Sequence, residues 1–190
     1  MITSDTAVIT LNQQLEQAIQ AYVPAGIELD FNIPTAEVTP ASPTINIFLY
    51  SVQEDLALRS SVSRNYVPTT GNLDPAYVNI RCDYLITYWD ATACTNVSAA
   101  DSQSMQVMNC VLNALINTRE ISGIPNSYTR VISPSELHGL STFWQALGNK
   151  PRLCLNYSAT VPVQLTNNHD NITAVGTLDT SFENLDSSAG

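Results

Sequence analysis

The sequence predicts one α/β domain of the α+β kind, with a mixed, mainly antiparallel sheet of about four to six strands and about three helices. Three observations predict it. Several separated segments alternate apolar and polar residues as strands do, and three others space apolar residues as helices do. The 190 residues form a chain long enough to bury about two thirds of its unfolded surface around one core.

The first predicted element is a helix that ends before Pro24 and Gly26. Ser4 or Asp5 can cap its amino end, and proline and glycine commonly follow the last turn of a helix. Its apolar residues recur at steps of three and four, which predicts one buried face. They are Val8, Leu11, Leu15, Ile19 and Tyr22.

Two strands are predicted next, joined by a stiff loop. Residues 27–33 alternate as in a half-buried strand, and a second strand follows at residues 44–50. Pro34, Pro40 and Pro43 lie between them, and proline has no amide hydrogen to donate to a sheet. Residues 51–76 carry further turn-forming residues and are predicted to form a long exposed loop.

The clearest strand is predicted at residues 77–89, where six apolar residues alternate with polar ones. Leu85 and Trp89 interrupt the polar face of this strand, which predicts that a second layer covers it in part. The cover is either this chain's own helices, the simpler interpretation, or another subunit.

The second half of the chain predicts two more helices and two strands. A helix at residues 98–118 is capped near Ser98 or Asp101, and a short strand follows at residues 128–132. A helix then begins with a capping box at residues 133–136 and ends at Gly148. A long strand at residues 153–165 contains Pro162, which indicates that its far half lies at an edge or leaves the sheet.

The composition changes after the last strand. Residues 167–190 contain acidic and small polar residues and neither lysine nor arginine, whereas residues 1–166 contain all the predicted elements. We therefore expect one domain over residues 1–166 and a tail over residues 167–190 that is flexible or docks on a partner.

Charge and hydropathy exclude several classes of function. The chain has seven basic and seventeen acidic residues, a net charge of −10, so binding of nucleic acid is not expected. No secretion signal and no run of about 18 apolar residues is present, so insertion into a membrane is not expected. We expect the chain to be made and kept in the cytosol.

No motif for catalysis or for a cofactor is present. The four cysteines are widely spaced without a CxxC pair, so we expect buried free thiols and no metal site. His138 and His169 lie in no catalytic sequence context. A Cys–His hydrolase stays open as a remote alternative, because such residues meet in space and not in sequence.

Several blocks of the sequence resemble one known family, in its order and spacing. They span residues 5–166 and include IPT at residues 33–35, PTINIFLY at residues 43–50, LALR at residues 56–59, CDYLITYWDA at residues 82–91, SQSMQVMNCVLNAL at residues 102–115, RVISPSELHGLSTFWQALG at residues 130–148 and RLCLNYSATVPVQL at residues 152–165. The chain is identified as similar to the tail cap or terminator proteins of extracellular contractile injection systems, which are phage tail-like particles. Most of the matching blocks look structural.

The resemblance implies a tail-terminator-like fold and a structural protein that is not an enzyme and binds no cofactor. Such proteins form a hexameric ring on the distal end of the inner tube and sheath, which stops polymerisation and fixes particle length. The implied partners are further copies of the chain and the tube and sheath proteins, and the implied location is the cytoplasm during assembly and then the particle. The alternative is an adaptor that tethers the distal end to a membrane or to another protein.

The sequence also predicts where this protein would meet its partners. Arg59 closes an acidic segment that a neighbouring ring member would also present, although a salt bridge to Glu54 or Asp55 within the chain is an equally good interpretation. The strand at residues 44–50 or the last strand could offer a sheet edge to a partner's arm. The candidate interface residues are Thr44, Ile45, Asn46, Ile47, Arg59, Arg64, Tyr66, Pro162 and Phe182.

Overall fold

A computed structural model describes residues 4–33, 39–58, 64–67, 69, 71–91, 98–132, 144, 145 and 152–165. Two helices and seven strands lie in these ranges. In chain order they are α1 (Ala7–Gln20), β1 (Glu28–Asp30), β2 (Thr44–Glu54), β3 (Tyr66–Val67), β4 (Asn72–Leu73), β5 (Tyr77–Trp89), α2 (Gln103–Asn117), β6 (Tyr128–Ile132) and β7 (Cys154–Gln164). A single 3₁₀ turn, Leu56–Leu58, follows β2.

Five strands form one mixed sheet in the order β1-β2-β5-β7-β6, and β3 and β4 form a separate hairpin. β1 pairs with β2 in parallel, while the three other pairings are antiparallel. This architecture confirms the predicted fold class, a mixed and mainly antiparallel sheet with helices. The long strand β5 lies at its centre, as its length and its apolar residues predict.

Both helices lie on one face of the sheet, here called the helix face. From the sheet, Cys82, Tyr84 and Ile86 of β5 are fully buried there, together with Ile47 of β2 and Ala159 of β7. The two helices contribute buried residues to the same cluster, namely Leu11, Leu15 and Ile19 of α1 and Val107, Met108, Val111, Ala114 and Leu115 of α2. The apolar positions that recur along the two helices and the strands in the sequence are therefore the residues that form this core.

The helix caps differ in detail from the prediction. The N-cap residue of α1 is Thr6 and not Ser4 or Asp5, and its side chain makes no capping hydrogen bond. Asp5 contributes from outside the helix, since its Oδ1 accepts a 2.6 Å hydrogen bond from the Ala7 amide. The cap of α2 is Ser102 and not Ser98 or Asp101, because the Met105 amide donates to Ser102 Oγ. Tyr22, expected on the apolar face of α1, lies beyond the helix and is 42% exposed.

Two strands differ in length from the prediction, and each has a local cause. β1 ends at Asp30, whose Oδ1 accepts hydrogen bonds from both the amide and the side-chain nitrogen of Asn32 and so turns the chain. β2 continues to Glu54, beyond the predicted end at Tyr50, after a bulge between Leu49 and Ser51. The predicted loop at residues 51–76 therefore begins with ordered strand.

β5, β6 and β7 agree closely with the sequence. The third predicted helix, at residues 133–148, lies outside the described residues except for Trp144 and Gln145, which are helical. The predicted tail also lies outside the described part of the chain.

Candidate interaction surfaces

The face of the sheet opposite the helices, here called the second face, is buried but largely polar. Leu85 and Trp89 are 1% and 6% exposed, which confirms that this face is covered. The burial is complete within one chain, so it does not require a second subunit. The polar residues buried beside them are Thr44, Asn46, Asp83, Thr87, Asn156, Ser158 and Thr160. The alternation of the strands does not reveal this burial, because it marks these positions as polar and therefore as exposed.

Specific contacts hold the polar groups of the second face. Arg81 Nε lies 3.1 Å from both carboxylate oxygens of Asp83, which is 2% exposed. Thr160 Oγ1 donates to Asp55 Oδ2 at 3.1 Å, which connects β7 to the end of β2. Asn156 and Asn46 are exceptions, because both side-chain polar atoms of Asn156 and the Oδ1 of Asn46 have no hydrogen-bond partner. Burying such an amide costs about 1–3 kcal/mol.

Trp89 anchors the far end of this face. Its Nε1 donates to Thr87 Oγ1 at 2.8 Å, and the guanidinium carbon of Arg152 lies 3.9 Å from the centre of the indole ring. Burial lowers the pKa of Arg152, and the nearby charge of Asp90 opposes that effect. These contacts tie the segment just before β7 to the end of β5.

The structure places four of the predicted interface residues in the core. Thr44, Ile45, Asn46 and Ile47 are at most 8% exposed. β2 lies between β1 and β5 from Thr44 to Asn46, and Ile47 is part of the apolar core. The prediction that this segment offers an outer edge is therefore wrong for Thr44 to Asn46. β1 ends at Asp30, so from Ile47 onwards β2 has no strand on its outer side among the described residues.

The remaining predicted residues are distributed over the molecule. Arg64 Nε donates to the Asp74 carbonyl at 2.6 Å and holds the ends of the β3–β4 hairpin together, where Tyr66 is 40% exposed. Pro162 lies opposite Asn79 of β5, beyond the last residue of β7 that pairs with β6. Among the described residues, β7 thus has a strand on one side only at Pro162, as the proline predicts. Arg59 and Phe182 lie outside the described residues, and the interface role of all nine residues stays a prediction.

The last strand is not an edge of the sheet over most of its length. β7 lies between β5 and β6, and β6 is the outermost strand on this side in the described part of the chain. Sequence reasoning missed β6 as an edge because a strand's position in a sheet depends on pairing between distant segments. Two of its side chains are exposed, Tyr128 by 57% and Val131 by 37%.

The structure contains an open groove of about 430 Å³ beside the start of α1. Asp5, Tyr77, Asn126 and Pro162 are among the residues that line it. The Asp5 carboxylate accepts hydrogen bonds from the amides of Ala7 and Gln164, so it ties α1 to the end of β7. The titratable groups among the described lining residues are thus a structural carboxylate and one tyrosine.

The described cysteines are free thiols. Burial raises the pKa of Cys82 to about 11 and also raises the pKa of Cys154. No group of three His, Cys, Asp or Glu side chains in the described ranges could hold a metal ion. Neither α1 nor α2 is long and apolar enough to span a membrane.

Comparison with known proteins decides the family. The profile of the Pvc16 N-terminal domain matches residues 9–175, which is most of the chain. This chain belongs to the Pvc16 N-terminal domain family. No curated protein sequence matches it significantly.

Two solved structures extend this assignment. The chain is 42% identical to a protein of an extracellular contractile injection system, the PVC sheath/tube terminator in its extended state, with a TM-score of 0.79 over 98% of this chain and 67% of that one. It is 39% identical to the tube terminating cap of the anti-feeding prophage, with a TM-score of 0.77 over 95% of this chain and 63% of that one. This chain thus spans about two thirds of the length of both proteins.

Proposed function

We propose that this protein is the terminator of a contractile injection system, a cap that ends the growth of the inner tube and sheath. The observation that carries the proposal is the 42% identity to a sheath/tube terminator over 98% of this chain. The likeness to a tube terminating cap supports the same role independently. Both neighbours are structural cap proteins, and the proposed role needs no chemical step and no cofactor.

The physical requirement for such a cap follows from how tubes grow. A stack of identical rings presents the same open interface after every addition, so growth has no intrinsic end. A cap must bind that interface with one side and present a different surface on the other. Two chemically different surfaces are therefore expected on this domain, one for tube and sheath and one that faces away from them.

We further propose that the protein acts as a homo-hexameric ring that assembles in the bacterial cytoplasm and stays in the particle. Residues 1–166 would form the ring domain, and residues 167–190 would be an acidic arm available to a partner. The predicted interface residues Arg59, Arg64, Tyr66, Pro162 and Phe182 are candidates for contacts with tube, sheath or neighbouring subunits. The side chains from Thr44 to Ile47 are buried, so this segment would support such contacts indirectly, by holding β2 in the sheet.

Electron microscopy of particles from cells that lack this protein tests the proposal. We expect overlong or ragged tubes and sheaths without a cap, and restoration of the parental length distribution when the gene is supplied again. Particles of normal length with intact distal caps would contradict the role in termination and would favour an adaptor instead.

A further inference from the structure

The two outer edges of the five-stranded sheet lie on opposite flanks of the domain. Among the described residues, one edge is β6, and the other is the second half of β2, from Ile47 to Glu54, which extends past the short strand β1. A strand at an edge presents a row of backbone N–H and C=O groups to any chain that can pair with it. Natural proteins commonly cover or use such edges, so each of them requires an explanation.

The directions of the two edge strands fit each other. β2 is antiparallel to β5, β5 to β7 and β7 to β6, so β6 runs opposite to β2. A second copy that continues the sheet beyond β6 therefore places its β2 antiparallel to β6, in the more common and slightly more stable kind of pairing. The five residues of β6 are matched by the eight residues of the β2 edge.

The exposed apolar side chains of the two edges lie on the same face. Val131 is opposite Tyr157, and Val52 is opposite Cys82, so both valines lie on the helix face of the sheet. They are 37% and 55% exposed. Directly opposed side chains of an antiparallel pair share a face, and β-branched pairs at such positions stabilise a sheet.

The charges of the two flanks are complementary. Among the described residues, the flank formed by β1 and the end of β2 bears three carboxylates, those of Glu28, Asp30 and Glu54. The flank at β6 bears two guanidinium groups and one carboxylate. These belong to Arg130 in the strand and to Arg119 and Glu120, whose segment contacts it through a hydrogen bond from Thr129 to the Arg119 carbonyl. Such complementarity favours contact between unlike flanks over contact between like ones.

We propose that β6 of one subunit pairs with the outer side of β2 of the next, with Val131 opposite Val52, so that the sheet continues from subunit to subunit around a ring. In this register Arg130 lies directly opposite Gln53 of the neighbour. The contact is heterologous, because β6 meets β2 and never another β6, and repetition of such a contact closes a ring when the rotation between neighbours is a whole fraction of a turn. The inference rests on the proposed terminator role for its ring.

Cysteine cross-linking of the purified full chain tests the pairing. The V52C/V131C double variant should form intersubunit disulfides under mild oxidation, visible as a ladder of bands up to the size of the closed ring. V52C alone and V131C alone should remain at the level of the parent, because a heterologous joint never brings two equal positions together. The parent chain controls for its native cysteines.

Two results would overturn the inference. Dimers of V131C alone would show that β6 pairs with β6 across a twofold axis. The absence of a ladder from the double variant under conditions where the protein is folded would show that the two edges do not meet. Circular dichroism establishes folding, and both positions are exposed enough that the substitutions should leave it intact.

Charge substitutions provide a second test on the assembled state. V131K and V52E should each weaken subunit association about tenfold or more, since each buries a charge in the joint. The V52E/V131K double variant should recover most of that loss, because the introduced charges are opposite. I9K is the matched control, since Ile9 is 60% exposed on α1 and lies on neither edge. Equal association of V131K and I9K would contradict the proposal.

The terminator role and the pairing of β6 with β2 can be disproved separately. If the deletion leaves particle length unchanged, the terminator role is wrong whatever the cross-links show. If the deletion gives overlong particles but the double variant forms no ladder, the terminator role holds and only the strand pairing is wrong.

Discussion

The two faces of the sheet are both buried, but their chemistry differs. On the helix face Cys82, Tyr84 and Ile86 pack against two amphipathic helices, and the contact is almost entirely apolar. On the second face the intervening residues of β5 include Asp83 and Thr87, which are as deeply buried but bound by polar contacts. The difference teaches that burial alone does not identify a core, because one face is stabilised by apolar area and the other depends on satisfied polar groups.

The largest expected effect is on the helix face. Tyr84 is fully buried, and Y84A should lower the free energy of unfolding by about 3–5 kcal/mol because it leaves a cavity under the centre of the sheet. Y84F keeps the ring and loses only the 2.6 Å hydrogen bond to Asn12 Oδ1, so it should cost about 0.5–1.5 kcal/mol. Urea unfolding measures both, and equal losses would show that the hydrogen bond rather than packing dominates.

The second face should respond to loss of one charge. D83N keeps the shape of Asp83 but removes the charge that faces Arg81, and we expect a loss of about 2 kcal/mol in the free energy of unfolding. E16Q is the matched control, since Glu16 is exposed on α1 and its change should stay within about 0.5 kcal/mol. If D83N has the same free energy of unfolding as the parent, the ion pair contributes nothing to stability.

Alkaline pH should weaken the helix face. Burial raises the pKa of Cys82 to about 11 from the ordinary value of 9.0, so above pH 9 the unfolded thiol loses a proton that the folded thiol keeps. Stability therefore falls as pH rises from about 9 to 11, by at most about 1.4 kcal/mol per pH unit from this group.

Unfolding measured between about pH 9 and 10 tests this, because the tyrosines of the unfolded chain ionise mostly above that range. C82A should show a shallower decline in stability than the parent, whatever its stability at pH 7. An unchanged slope would mean that other groups, such as Cys154, cause the decline.

The smallest effect distinguishes two asparagines of the second face. Asn156 has no hydrogen-bond partner for either polar atom, so N156L should stabilise the protein by about 1 kcal/mol. Asn46 Nδ2 donates to the Asn32 carbonyl at 2.8 Å, so N46L should cost about 0.5–1.5 kcal/mol. Thermal unfolding compares the two, and a destabilising N156L would show that its amide is satisfied in solution.

Much of the fold follows from the sequence, and the reason differs between elements. β5 and β6 have the predicted bounds because their signals are local: alternation over the strand and turn-forming residues beside it. The early end of β1 depends on the side chain of Asp30, and the extension of β2 depends on pairing with β5, so neither is visible in a local pattern. The same limit applies to the predicted interface, since Thr44 to Ile47 look like an accessible strand until their neighbours in the sheet are known.

The sequence by itself determined the family, the helix face of the core and the order of the main elements, because each depends on residue spacing along one segment. Only the tertiary structure decided which strands lie at the edges, that the second face is buried, and that acidic and basic residues lie on opposite flanks. These properties arise when segments far apart in the chain pair with each other, as β5 does with β2 and β7. The strand order therefore decides which described segments lie at the two edges of the sheet.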